Sequence, residues 1–193
     1  YGPYEAVGLR GPDGQYRQLA TTLLQIENEF YGTIRPKRTI FPGERPLHAL
    51  RERGVEYVEV RLMDLDPFVD IGIEADTLRF LDVFLLHCLL SDSPPDTPQE
   101  IAQIGRNQHR TAAFGRDPAL MLERGDGEVG LAEWGHALVD QFEPLAHALD
   151  QAFGGGAHAQ ALRAARERLD DATLLPSARV LQAMGSGQIG RAH

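Results

Sequence analysis

The chain has 193 residues, 42% of them hydrophobic, with 19 basic against 28 acidic side chains and a net charge of −9. That is apolar material for one core of ordinary size, too little chain for two full domains of about 150 residues each, and not the composition of a disordered protein. The charge excludes broad nucleic-acid or anionic-membrane binding, which needs clustered Lys and Arg to meet phosphate, so neither partner is expected.

In chain order, Gly11-Pro-Asp-Gly14 carries the turn residues of a hairpin loop, because Pro presets one dihedral and Gly accepts positive φ. Residues 16–19 and 23–31 are predicted strands. The second alternates Leu24, Ile26, Asn28 and Phe30 with Gln25, Glu27, Glu29 and Tyr31. Residues 32–53 are predicted as a loop holding Ile34-Arg-Pro-Lys-Arg38, followed by a short helix over 47–53 that Gly54 ends. Residues 56–62 alternate again and predict a strand, with Tyr57, Glu59 and Arg61 on one side.

From about residue 74 the period becomes helical. Leu78, Leu81, Leu85 and Leu89 predict a helix over 76–90, stopped by Pro94-Pro95. Thr97-Pro-Gln-Glu100 has the form of a capping box that opens a helix to about residue 114. Loop residues follow around Gly125-Asp-Gly127. A helix over 131–153, interrupted at Pro144, ends at Gly154-Gly-Gly156; another covers 157–169, and Ser177 is placed to cap a last one over 178–184. The expected class is α+β: an antiparallel sheet portion over 1–73, then a helical region over 74–193 of the same domain.

Glu59 and Arg61 are same-face neighbours on the 56–62 strand, about 6.5–7 Å apart. By pattern alone they are an ion pair on the wet face of a half-buried sheet. They also suit phosphate chemistry, with Glu59 offering oxygen to Mg²⁺ and Arg61 forking onto a phosphoryl group. Arg35, Lys37 and Arg38 form the one concentrated positive cluster of an acidic chain and suit the same anion. Other signals are weaker. Cys88, in an apolar run, is expected to be a buried small hydrophobe of a reducing cytoplasm. Gly185-Ser-Gly-Gln-Ile-Gly190 spells a dinucleotide-binding glycine pattern but follows a helix instead of a strand. Glu133 with His136 lacks a second copy to complete a metal site, and Asn107 with Arg110 on one helix face reads as structural hydrogen bonding.

The stretches from Gln25 to Arg38 and from Gly54 to Phe68 resemble the second half of the proteobacterial-type glutamate–cysteine ligases, and Arg79-Phe-Leu-Asp-Val-Phe84 and Ser177-Ala-Arg-Val-Leu181 are similar at that family's spacing. The resemblance implies part of a glutamine-synthetase-like carboxylate–amine ligase fold. It also implies ATP-dependent joining of L-cysteine to the γ-carboxyl of L-glutamate, the first step of glutathione synthesis, with Mg²⁺ or alternatively Mn²⁺. Carried over by position, Glu59 matches a metal-binding glutamate, Arg61 a catalytic arginine on the transferred phosphate, and Tyr31 a tyrosine of the cysteine pocket; Arg35, Lys37 and Arg38 are further candidates for the nucleotide. The chain starts at Tyr1 without Met, so it reads as a cytoplasmic piece whose N-terminal half, with the other metal ligands, is its expected partner. Two alternatives stay open: a non-catalytic helical scaffold, or a ligase that joins another amine to glutamate.

Overall fold

The computed structural model describes residues 2–22 and 32–185. The predicted strand over 23–31, with Tyr31, and residues 186–190 of the glycine pattern lie outside them. The chain divides into two compact units, residues 1–64 and 65–193. Among the described residues no helix is long and apolar enough to cross a membrane.

The first unit opens with helix α1 (Gly2–Val7). The expected turn at 11–14 is present: the Gly14 amide donates to the Gly11 carbonyl at 2.9 Å, and Gly14 sits at φ +78°. The strand expected over 16–19 is reduced to one bridge between Arg10 and Tyr16.

The first large correction lies in the segment predicted as a loop. Strand β1 (Ile34–Lys37) pairs antiparallel with β2 (Tyr57–Val60), Arg35 opposite Glu59 and Lys37 opposite Tyr57. Pro36 argues against a central strand, yet here it does no harm. The Arg61 amide donates to the Thr33 carbonyl at 2.9 Å, so odd-numbered β1 residues turn their backbone toward β2 and the missing N–H of Pro36 points away. Helix α2 (Pro46–Arg53) follows the sequence reading, with Pro at its start and Gly54 at φ +72° past its end.

The connection between β1 and α2 is wired by charge. Arg53 forks onto Glu44 at 2.7 and 2.8 Å, donates to the Thr39 carbonyl and covers the Phe41 ring at 4.4 Å. The Arg53 guanidinium above all, then the Phe41 amide, holds Glu44 at a pKa of about 2 against an ordinary 4.5. A carboxylate depressed in the folded state adds stability that is complete above its ordinary pKa and fades as pH falls through the depressed one. Glu44→Gln is therefore expected to lower the urea midpoint at pH 7, with the gap to wild type narrowing from pH 5 toward pH 2. A gap that stayed constant over that range would remove Glu44 from this role.

The second unit is built on three helices, α3 (Ala75–Leu90), α5 (Leu131–Phe153) and α6 (Ala157–Asp170). Val83, Val139, Phe142, Ala146 and Leu162 form its buried core. The Phe142 ring meets Phe80 and Phe84 edge-on at 6.0 Å each. Helices α5 and α6 approach closely at Gly135, where a Cβ would stand 2.7 Å from Leu169.

Helix α5 is continuous through Pro144, against the expected interruption. An internal proline costs about 3 kcal/mol, whereas full burial of one side chain such as Phe142 is worth about 1.5–3 kcal/mol, and Val139 and Ala146 are buried as well. Asp150 then caps the following helix across the glycine turn. Its oxygens accept from the His158 and Ala159 amides at 2.9 Å and from the His158 ring at 2.8 Å.

Helix α4 (Pro98–Phe114) begins as expected, the Thr97 hydroxyl accepting from the Glu100 amide at 3.1 Å. The stretch after it is not plain loop. Met121–Arg124 (β3) and Gly127–Gly130 (β4) form a hairpin around Gly125, at φ +59°. Strands of four residues were too short to show as alternation. Helix α7 (Pro176–Gly185) starts at the proline, which is pre-set for a first helical position, so Ser177 lies inside the first turn instead of before it. Among the described residues the result is a mixed helical chain with two small antiparallel sheets.

Candidate functional site

The β1–β2 ribbon gathers most of the sequence candidates on one face. Period-two alternation puts Ile34, Pro36, Val58 and Val60 on one side and Arg35, Lys37, Tyr57 and Glu59 on the other. Arg61 extends that second face, since its amide continues the ladder to Thr33 and its side chain turns to Glu59.

Glu59 is the hub. One carboxylate oxygen lies 2.8 Å from Lys37 Nζ and the other 2.9 Å from Arg61 Nε, with about a third of each side chain exposed. The Lys37 hydrogen bond first, then the charges of Arg61 and Arg35, holds Glu59 below the usual carboxylate range. The carboxylate therefore stays ionised near neutrality and spaces two cations on a rigid platform. Lys37 and Arg61 on one carboxylate leave net positive charge on this face, which suits a phosphorylated ligand.

Arg38 is not brought to this face. It donates to the Arg53 carbonyl at 2.9 Å and approaches Glu56 at 3.7 Å, so it braces the β1–α2 connection. Tyr31 lies outside the described residues. Among the described residues Tyr57 is the aromatic member of the charged face, and sequence alternation had already set it beside Glu59 without giving it a role.

The Mg²⁺ expected from the resemblance needs several oxygen ligands. Among the described residues no three His, Cys, Asp or Glu side chains are grouped to hold a metal ion, and both oxygens of Glu59 face cations. These residues do not make up the ion's site, and no step is drawn through it.

The weaker signals resolve structurally. Asn107 makes two 2.8 Å hydrogen bonds to the backbone of Glu123, Arg106 forks onto the same glutamate, and Arg110 binds Glu128 at 2.7 Å; all of them fasten α4 to the β3–β4 hairpin. His136 pairs with Asp170 at 2.8 Å and not with Glu133. Cys88 is exposed, not buried as its apolar run suggested.

Comparison with known proteins places these residues. The family model for glutamate–cysteine ligase matches residues 1–111. The chain is 50% identical over 188 residues to the glutamate–cysteine ligase of Bordetella parapertussis, covering 96% of this chain and 35% of that protein. It is 51% identical over 181 residues to that of a Janthinobacterium species, covering 94% and 34%. Among solved structures, the glutamate–cysteine ligase of Francisella tularensis in complex with AMP superposes with a TM-score of 0.76 at 37% identity, covering 94% of this chain and 36% of that one. The chain thus spans about a third of the length of the curated relatives it matches. With more than half of it matched by the family model, the chain belongs to the glutamate–cysteine ligase family.

Proposed function

We propose that this chain supplies the phosphate-handling strands of an ATP-dependent ligase that joins L-cysteine to the γ-carboxyl of L-glutamate, within a glutamine-synthetase-like fold and in the cytoplasm. The observation that carries the reading is the β1–β2 face, where Arg35, Lys37 and Arg61 surround one ionised carboxylate. The AMP bound to the Francisella relative supports a nucleotide as the anion.

In the reaction a γ-carboxylate oxygen of glutamate attacks the terminal phosphorus of ATP, and the bond to the bridging oxygen breaks to release ADP. The cysteine amine then attacks the γ-carbonyl carbon of γ-glutamyl phosphate. A C–N bond forms, the C–O bond to phosphate breaks, and the amine loses a proton. Negative charge is brought together in the first step and little covalent work falls to the protein, so positioning and fixed positive charge decide the rate. Arg61 holds the transferred phosphoryl group with its planar fork, Glu59 fixes that fork, and Lys37 and Arg35 meet the remaining phosphates. Tyr31 contacts the cysteine.

The test is made on the full-length protein with ATP, glutamate and cysteine, following ADP and γ-glutamylcysteine. Arg61→Lys keeps the charge but removes the bidentate fork, and is expected to lower kcat about a hundredfold. Cysteine-independent ADP release by wild type, or an Arg61→Lys enzyme within threefold of it, would sink the proposal.

A further inference from the structure

The charged face has a direction. Along β2 it runs Arg61, Glu59, Tyr57, and the four steps from Arg61 to Tyr57 span about 13 Å at the rise of a strand. On β1, Arg35 lies opposite Glu59 in the middle of that row, and Lys37 stands opposite Tyr57 with its ammonium 2.8 Å from Glu59. An extended nucleoside triphosphate has the same order: terminal phosphate, inner phosphates, then an aromatic base at a comparable distance.

At the base end stands the half-exposed phenol of Tyr57. Tyr57 is 53% exposed, and among the described residues its ring and hydroxyl make no hydrogen bond, ion pair or ring contact. Phe41, another exposed aromatic side chain of this unit, is covered by the Arg53 guanidinium at 4.4 Å. A half-exposed aromatic ring directly opposite a lysine, on the polar face of a sheet whose other face carries the apolar side chains, is badly placed as core material. It is well placed as a stacking platform, since every nucleobase has a π-face and stacking on an aromatic side chain tolerates any of them.

We infer that Tyr57 is the platform on which the base of the nucleotide stacks, which makes it a binding residue for the nucleoside part of ATP. The inference rests on the assignment of Arg61 to the transferred phosphoryl group, because that assignment orients the triphosphate along the row. It also has a consequence for specificity. Lys37, opposite Tyr57 on this face, is engaged by Glu59 at 2.8 Å, so stacking alone holds adenine and guanine with similar strength and any discrimination between bases comes from elsewhere.

Calorimetric titration of the full-length protein with ATP and, separately, with inorganic tripolyphosphate reads base and phosphate contributions apart. In wild type ATP binds at least tenfold more tightly than tripolyphosphate; equal affinities would overturn the inference without any variant. Tyr57→Leu weakens ATP about tenfold and leaves tripolyphosphate within twofold, while Tyr57→Phe keeps ATP within threefold. Unchanged ATP binding by Tyr57→Leu removes the platform and leaves the ligase assignment intact. Parallel loss of both probes makes Tyr57 a support of the phosphate row and also removes the platform. Tyr57-dependent ATP binding in a protein that forms no γ-glutamylcysteine would keep the platform and overturn the ligase reading instead.

Discussion

Glu59→Gln in the full-length protein is expected to lower ligase turnover at least a hundredfold at saturating substrates, with the thermal midpoint of the fold nearly unchanged. The amide has the shape of the carboxylate but none of its charge. Where wild type sets one oxygen 2.8 Å from Lys37 and the other 2.9 Å from Arg61, the variant presents an NH₂ group to one of the two cations and leaves them facing each other uncompensated. Preorganised charge aimed at a reacting group is typically worth 10²–10³ in rate, and misplacing such a group by about an ångström costs a similar factor. The fold survives because the carboxylate is partly exposed, and an exposed ion pair adds about 0–1 kcal/mol at most. Steady-state turnover beside a melting curve checks both halves. Turnover within threefold of wild type would make Glu59 an ordinary surface strand residue.

The largest stability effect is expected at the opposite end of the burial scale. Phe142 is 1% exposed and touches Phe80, Phe84 and the His87 ring, so Phe142→Ala removes the side chain on which α3 and α5 meet. Such truncations cost about 3–5 kcal/mol, a large share of the 5–15 kcal/mol that holds a typical domain folded. Urea unfolding should show the midpoint falling steeply or the native baseline vanishing. Leu89→Ala, at a position 79% exposed on α3, is the control and should stay within about 0.5 kcal/mol. Comparable losses in the two variants would mean that the core is not centred on Phe142.

The helices of this protein are written plainly in its sequence. Those beginning near Leu47, Asp76, Thr97 and Ala157 follow apolar spacing and their Pro and Gly boundaries, and the Thr97 cap acts within one turn whatever surrounds it. Both sheets were harder for a common reason: their strands are four residues long, which gives alternation two periods at most. In β1 the charges and Pro36 looked like loop, and only the pairing partner shows that the proline nitrogen faces away from the ladder. In β3–β4 the glycines around Asp126 were legible as a turn, while the strands beside them gain stability from α4, sixteen residues back, through Asn107 and Arg106. Pro144 was overruled by burial on both sides of it. Glu59 and Arg61 could be paired from alternation alone, because adjacency on one face of a strand is local. The attachment of Lys37 to Glu59 could not, since it depends on the register of two strands nineteen residues apart in the chain.

That register restricts which changes of length the protein can survive. The side chains of β2 switch sides at every residue, so one residue inserted between Gly54 and Tyr57 that advanced the strand by one step would send Glu59 to the side of Ile34 and bring Val58 and Val60 to the side of Lys37. A two-residue insertion would keep the sides and move the carboxylate one rung along. Between Phe41, held under the Arg53 guanidinium, and Glu44, held by the same guanidinium, the chain runs over the surface, which leaves room to take up extra residues without disturbing the pairing. Natural and engineered insertions in this part of the family should therefore collect ahead of Glu44 and be absent in odd numbers after Gly54.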